Sequence, residues 1–179
     1  MKKSIARKKC LKKRDGLGEA KRQEYDGKIL EKVLLFLYDK QSVFVYNNFK
    51  SEVSTQHIIA FLKASDIDVY LPKIIDGKML AVKDDGEYEV NSYGILEPKG
   101  NQVADKIDVA ITPLSAVDKK FNRVGYGKGF YDKFFEQNDC LKVGVCYSCQ
   151  VVRKIKADRH DVPLDMVITE KYIRIRNQK

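Results

Sequence analysis

The sequence predicts an α/β fold: a single-domain, three-layer sandwich with a central, mostly parallel sheet and helices on both faces. Three observations carry this. Short β-branched and aromatic runs alternate with helical segments along the chain, the order that parallel strands with crossover helices require. The 179 residues suffice for one domain with a real core, and 44% of them are hydrophobic, an ordinary share for a globular chain. No repeat, low-complexity tract or linker divides the sequence, so residues 1–179 read as one unit.

The elements follow in order. Residues 3–13 read as a short helix with Ile5 and Leu11 on a sparse apolar side, broken by Arg14-Asp-Gly-Leu-Gly18. From Glu19 to Lys40, Ile29, Val33 and Phe36 or Leu37 recur at helical spacing. SVFVY, 42–46, is a strand; Ser54 or Thr55 would cap a helix running to Ala64 around Ile58, Ile59 and Leu62. DVYLPKII, 68–75, is a strand in which Pro72 argues for an end or an edge. The Asp76-Gly77 turn then joins it to KMLAVK, 78–83, as a hairpin. The stretch around 93–98 is irregular. KIDVAITPL, 106–114, is an apolar strand, Phe130–Gln137 a helix, and LKVGVCY, 141–147, another strand. Residues 151–156 read as a short helix, and MVITE, 166–170, and YIRIR, 172–176, as the last strands.

Composition narrows the function classes. No apolar run is long enough to span a bilayer, and MKKSIARKKC lacks the apolar stretch of a secretory signal, so the expectation is a cytoplasmic protein without a membrane partner. Cys10, Cys140, Cys146 and Cys149 then read as reduced thiols. The one CxxC, Cys146 and Cys149, has no second ligand pair to complete a structural zinc site, which favours small apolar residues near a strand end. The net charge of +9 is local: eight of the 34 basic residues fall within residues 1–14, with no acidic one, and the rest of the chain holds 26 basic against 25 acidic. A solvated helix face, a nucleic-acid arm and a set of cations aimed at a polyphosphate all fit that charge, and composition alone favours the first.

The strongest motif is RVGYGKGFYD, 123–132. Glycine is costly to order, so three on alternate positions need a reason. The Walker pattern is absent, and Gly125, Gly127 and Gly129 are spaced GxGxG rather than as a dinucleotide fingerprint. The loop still opens onto a helix N-terminus, its amides can converge as a nest, and Arg123 and Lys128 add charge, which together favour anion binding over a structural turn. Asp132, in the first helical turn, either complements the dipole or holds Mg²⁺ beside phosphates. Tyr126, between glycines, faces a ligand more readily than Phe130, Tyr131, Phe134 or Phe135, which form i,i+4 pairs. His57 reads as a helix-surface residue, and HDVPLD, 160–165, as an acidic loop or part of a metal site. No GxSxG or HExxH motif is present.

Taken together these residues resemble the 5-formyltetrahydrofolate cyclo-ligase family, also called 5,10-methenyltetrahydrofolate synthetases. The resemblance rests on Lys3 to Arg7 with Arg14, Ser51-Glu-Val-Ser-Thr55, Tyr70-Leu-Pro-Lys73, Tyr93-Gly-Ile-Leu-Glu-Pro98, Arg123 to Asp132 and His160 to Asp165, in family order along nearly the whole chain. It implies an ATP- and Mg²⁺-dependent enzyme that phosphorylates the formyl oxygen of 5-formyltetrahydrofolate and closes the ring through N10. By the same resemblance, Lys3, Arg7, Arg14, Arg123, Gly125, Tyr126, Gly127, Lys128, Gly129, Phe130 and Tyr131 would contact ATP. Arg123, Lys128 and Tyr131 would act at the reacting groups, and Glu52, Asn47, Tyr46, Tyr126 and Phe130 would hold the folate. Asp132 and Asp165 would bind the metal. Phe130 stands where tyrosine is common in the family. The implied partners are small molecules, without nucleic acid or membrane, and the implied assembly is a monomer or weak dimer. Two other classes stay open: a nucleic-acid binder using the basic N-terminus, against which the near-neutral remainder counts, and a sugar-phosphate or coenzyme A enzyme on a similar sheet.

Overall fold

The computed structural model describes residues 1–177. It opens with α1 (Lys3–Asp15) and α2 (Glu19–Leu37), followed by β1 (Ser42–Val45), α3 (Gln56–Ala64) and the hairpin of β2 (Asp68–Ile75) and β3 (Lys78–Lys83). A small ribbon of β4 (Tyr88–Val90) and β5 (Leu96–Pro98) comes next, then β6 (Val109–Thr112), β7 (Ala116–Asp118), β8 (Arg123–Val124) and α4 (Phe130–Gln137). The chain finishes with β9 (Leu141–Val145), a 3₁₀ turn at Ser148–Gln150, β10 (Val151–Val152), β11 (Met166–Ile168) and β12 (Ile173–Ile175). The main sheet has seven strands in the order β12-β11-β9-β6-β1-β2-β3. Its five inner strands are parallel, while β12 and β3 run antiparallel at the edges.

Period-two alternation assigns the two faces. Val43, Val45, Val109, Ile111, Val143 and Val145 join Ile29, Val33 and Leu37 of α2 and Ile58 and Leu62 of α3 in one cluster. Phe44, Tyr70 and Ala110 meet Phe134 and Phe135 of α4 on the other side. Each fully buried aliphatic side chain contributes about 1.5–3 kcal/mol. The three-layer arrangement with a mostly parallel sheet is therefore as the sequence predicts. Among the described residues no helix is long and apolar enough to cross a membrane.

Several local expectations are corrected. In α1 the buried residues are Ala6, Cys10 and Arg14, while Ile5 is 54% exposed; the helix packs through small residues and a guanidinium, not through its aliphatic ones. Pro72 lies inside a continuous strand, yet past Phe44–Tyr70, the last pair that β1 makes with β2, so no ladder bond to β1 is lost. Residues 151–156 hold a strand, not a helix: β10 lies parallel to β7, and β7 antiparallel to β8, in a second, three-stranded sheet. Residues 96–98 are likewise a strand. All four cysteines are free, and burial pushes the Cys140 thiol up to about 11.

Thr55 precedes α3, but its side chain does not cap the helix. Its buried hydroxyl donates instead to Tyr46 O at 2.6 Å, fixing the turn that follows β1. Thr55→Val is expected to lower stability by about 1 kcal/mol, a fall of roughly 2–4 °C in Tm for a chain of this size, measured by calorimetry.

Candidate functional site

The strand order reverses between β1 and β6: from β1 the chain moves outward to β2 and β3, and from β6 the other way to β9 and β11. Open α/β sheets bind ligands beyond the carboxyl ends of strands at such a point. Tyr46 and Asn47, which follow β1, and Pro113 and Leu114, which follow β6, line a cleft of about 660 Å³ there.

The glycine loop forms one wall. Gly127 and Gly129 have φ of 101° and 70°, which L side chains rarely adopt. A Cβ on Gly127 would also stand 3.1 Å from Nη2 of Arg7. Arg7 donates from Nε to Gly125 O at 2.7 Å, so α1 is pinned to the loop. Arg123 lies behind it, 7% exposed, with Nη2 donating to Asp132 Oδ1 at 3.1 Å and its guanidinium carbon 5.2 Å from the centre of the Tyr131 ring. Its buried Nε has no hydrogen-bond partner, an unusual state for a charged donor. Lys128 is exposed and stands 5.9 Å from the Tyr93 ring centre. Tyr126 is 51% exposed, the outward position expected of it.

At the rim, Lys3 donates to Asp158 at 2.7 Å and to Asp161 at 2.5 Å. Burial pulls its ammonium down, but these two carboxylates outweigh that and leave it raised. The α-amino group of Met1 donates to Lys154 O, and Lys156 N donates to Met1 O, so the start of the chain is stitched to residues 154–161. Asp158, His160 and Asp161 bring one ligand atom each within 4.8 Å of one another.

Glu52 is buried beside the Tyr126 hydroxyl of the glycine loop, with Oε2 accepting from Phe49 N at 2.9 Å. Burial pushes its carboxyl up, against the pull of the Phe49 amide, the Arg14 charge and the Tyr126 hydroxyl. Burial likewise pushes the hydroxyls of Tyr46 and Tyr131 well above the ordinary tyrosine range. Tyr46 donates its proton to Val53 O at 2.9 Å, leaving chiefly its ring and one lone pair for a ligand. Asn47 reaches Leu96 O at 3.1 Å and ties the end of β1 to the ribbon.

The cleft therefore gathers Lys3, Arg7, Tyr46, Asn47, Glu52, Asp132 and every residue from Arg123 to Tyr131. Two expected members lie outside this lining. Arg14 is 2% exposed and outside the lining; it donates to Ser51 Oγ and to the Tyr126 hydroxyl, at 3.0 and 3.2 Å. It braces Tyr126 from beneath. Asp165 is not brought to Asp132. It precedes β11, at the amino end of the strands, where Arg176, Lys142 Nζ and Lys142 N occupy its oxygens at 2.7, 3.3 and 3.0 Å. HDVPLD is thus divided: His160 and Asp161 face the cleft, and Asp165 does not. The residues that sequence reasoning missed are Asp158, the apolar wall of Pro72, Ile74 and Met79, and the ribbon residues Asn91, Tyr93, Ile95 and Glu97. For the ribbon the only signal was the NSYGILEP stretch itself.

Comparison with known proteins adds independent findings. Residues 1–170 match the model of the 5-formyltetrahydrofolate cyclo-ligase family. A 5-formyltetrahydrofolate cyclo-ligase of Mycoplasma pneumoniae is 32% identical over 176 residues, covering 95% of this chain and 99% of that one. One from Escherichia coli is 35% identical over 141 residues, 72% of this chain and 77% of the other. The solved structure of a 5,10-methenyltetrahydrofolate synthetase from Aquifex aeolicus superposes with a TM-score of 0.89 at 29% identity, over 99% of this chain and 94% of that one.

Proposed function

The chain belongs to the 5-formyltetrahydrofolate cyclo-ligase family and is a cyclo-ligase, and on that premise we propose how it works: ATP drives closure of 5-formyltetrahydrofolate to 5,10-methenyltetrahydrofolate, releasing ADP and phosphate. The observation that carries this reading is one cleft holding two kinds of group, a glycine loop with Lys3, Arg7, Arg123 and Lys128, and the buried Glu52 carboxylate. The first suits a polyphosphate. The second suits the donor-rich edge of a reduced pterin.

The formyl oxygen on N5 leaves poorly as hydroxide. Transfer of the γ-phosphoryl group forms an O–P bond to that oxygen and breaks the bond to ADP. N10 then attacks the formyl carbon and loses its proton, and phosphate departs with the C–O electron pair. No protein nucleophile is needed, so the protein's part is alignment and charge neutralisation. The amides of the loop and the guanidiniums of Arg7 and Arg123 would face the phosphates, with Lys128 reaching in from solvent. Tyr131 would wall off the reacting centre beside Arg123.

The implied Mg²⁺ fits Asp132. Its Oδ1 accepts from Arg123 and, at 3.3 Å, from Val162 N, while Oδ2 has no donor among the described residues. One carboxylate with phosphate oxygens is a common way to hold this ion. Bound there, it would neutralise charge on the transferring phosphoryl group.

Methenyl product, followed by absorbance, should form from 5-formyltetrahydrofolate only with ATP and Mg²⁺; absence of product with both present rejects the reading. Arg7→Ala should raise KM for ATP roughly 10- to 100-fold and leave KM for the folate nearly unchanged. Equal losses for both substrates would make Arg7 a structural pin for α1.

A further inference from the structure

Glu97 is a carboxylate that the expected site does not use, and it lines the cleft at 5% exposure. One of its oxygens has a structural task. Oε1 accepts from Ile74 N at 3.1 Å and from Asn91 Nδ2 at 2.7 Å. Asn91 builds the tip of the β4–β5 ribbon, because its Oδ1 accepts from Tyr93 N and Ile95 N at 2.9 and 3.0 Å. That tip places Tyr93 edge-on to Phe130 of the glycine-loop wall, with ring centres 6.3 Å apart. Next to Ile74, Lys73 donates to Lys99 O and Gly100 O at 2.9 and 3.0 Å, fixing the far end of the ribbon to β2. The ribbon is therefore tied to the sheet on both sides of Glu97.

The other oxygen has no such task. Among the described residues no donor reaches Oε2 of Glu97, so this oxygen is left open on a cleft whose lining includes the apolar Pro72, Ile74 and Met79. An ionised carboxylate oxygen that no protein donor occupies keeps its acceptor capacity for a ligand. We propose that Glu97 is a substrate-specificity residue: Oε1 holds the ribbon, and Oε2 accepts from an N–H or amino donor of the reduced folate on the ribbon side of the cleft. The same side chain would then link the placement of the ribbon to recognition of the substrate. This inference rests on the folate reading above.

The two oxygens can be tested separately. In Glu97→Gln the amide oxygen can serve Ile74 N and Asn91 Nδ2, leaving an NH₂ group where the folate donor would come. Expected is a 10- to 100-fold rise in KM for 5-formyltetrahydrofolate, with KM for ATP and the Tm unchanged. Glu97→Ala should add a loss of Tm to the same rise, and Asn91→Ala, which leaves Oε2 in place, should affect Tm more than KM. An unchanged folate KM in Glu97→Gln overturns the proposal, as does an equal rise for both substrates together with a lower Tm, since either makes the carboxylate purely structural. Wild-type protein assayed alongside separates the two levels: no ATP-dependent product from wild type defeats the folate reading itself, whereas active wild type with an unaltered Glu97→Gln defeats only the assignment of Glu97.

Discussion

Arg123→Ala is expected to lower kcat/KM for cyclisation by roughly 10²–10³-fold, the scale set by removing one preorganised donor from a developing anion. The reason lies in what surrounds the guanidinium. It is almost wholly buried, it pairs with Asp132, it faces the Tyr131 ring, and its Nε has no partner. A donor held in this way is already aimed before a phosphoryl group arrives. The alanine variant would also leave the half-buried Asp132 without its cation, a change that costs about 3–5 kcal/mol when such a pair is broken. Arg123→Lys separates the two effects. It retains the charge but not the planar fork that presents several N–H groups at once, so most of the Tm should return while most of the rate does not. Recovery of both would make the group a structural cation; recovery of neither would assign the residue to folding.

The second large effect lies in the core. Gly144, in the middle of β9, has no space above it: a Cβ there would stand 2.4 Å from Leu164 Cδ1 and 2.9 Å from Leu114 Cδ2, both on buried side chains. Gly144→Ala should therefore destabilise the protein by about 2–3 kcal/mol through overpacking, lowering Tm by roughly 4–12 °C. Leu164→Ala alone should also destabilise, by the cavity it leaves. Combined, the two should lose clearly less than the sum of the single losses, because each relieves the other's misfit. Additive losses would mean that the contact does not govern the site. Leu164 lies in the segment joining the cleft rim to β11, so this cycle also reports how firmly that segment is seated.

Much of this architecture was legible because its signals are local. The β-branched and aromatic run SVFV, the apolar run VAIT, three-to-four spacing in α2 and the Asp76-Gly77 turn each follow from one element's own sequence. The glycine loop was legible for a related reason: two of its residues need a backbone that only glycine adopts freely. What escaped the sequence depends on distant partners. β7, β8 and β10 have two or three residues each, too short for any period to show, and exist because they pair with one another. α1 was read through Ile5 and Leu11, but it packs through Ala6, Cys10 and Arg14, and nothing local says that an arginine will be buried beneath Tyr126. Asp132, Asp161 and Asp165 look alike as letters; only the path of the chain puts the first two in the cleft and turns the third toward Arg176. Glu97 was visible as part of a landmark, but its burial, and the division of its two oxygens, were not.

The pairing of Lys3 with Asp158 and Asp161 has a consequence for folding. Its partners lie up to 158 residues away along the chain, so the rim of the cleft joins two segments far apart in sequence. Contacts of such separation close late, after the loop entropy between them has been overcome. A folding chain can thus assemble β1, β2 and their covering helices while the phosphate-side wall is still open. The rim should therefore be among the last parts of the cleft to form as the chain folds.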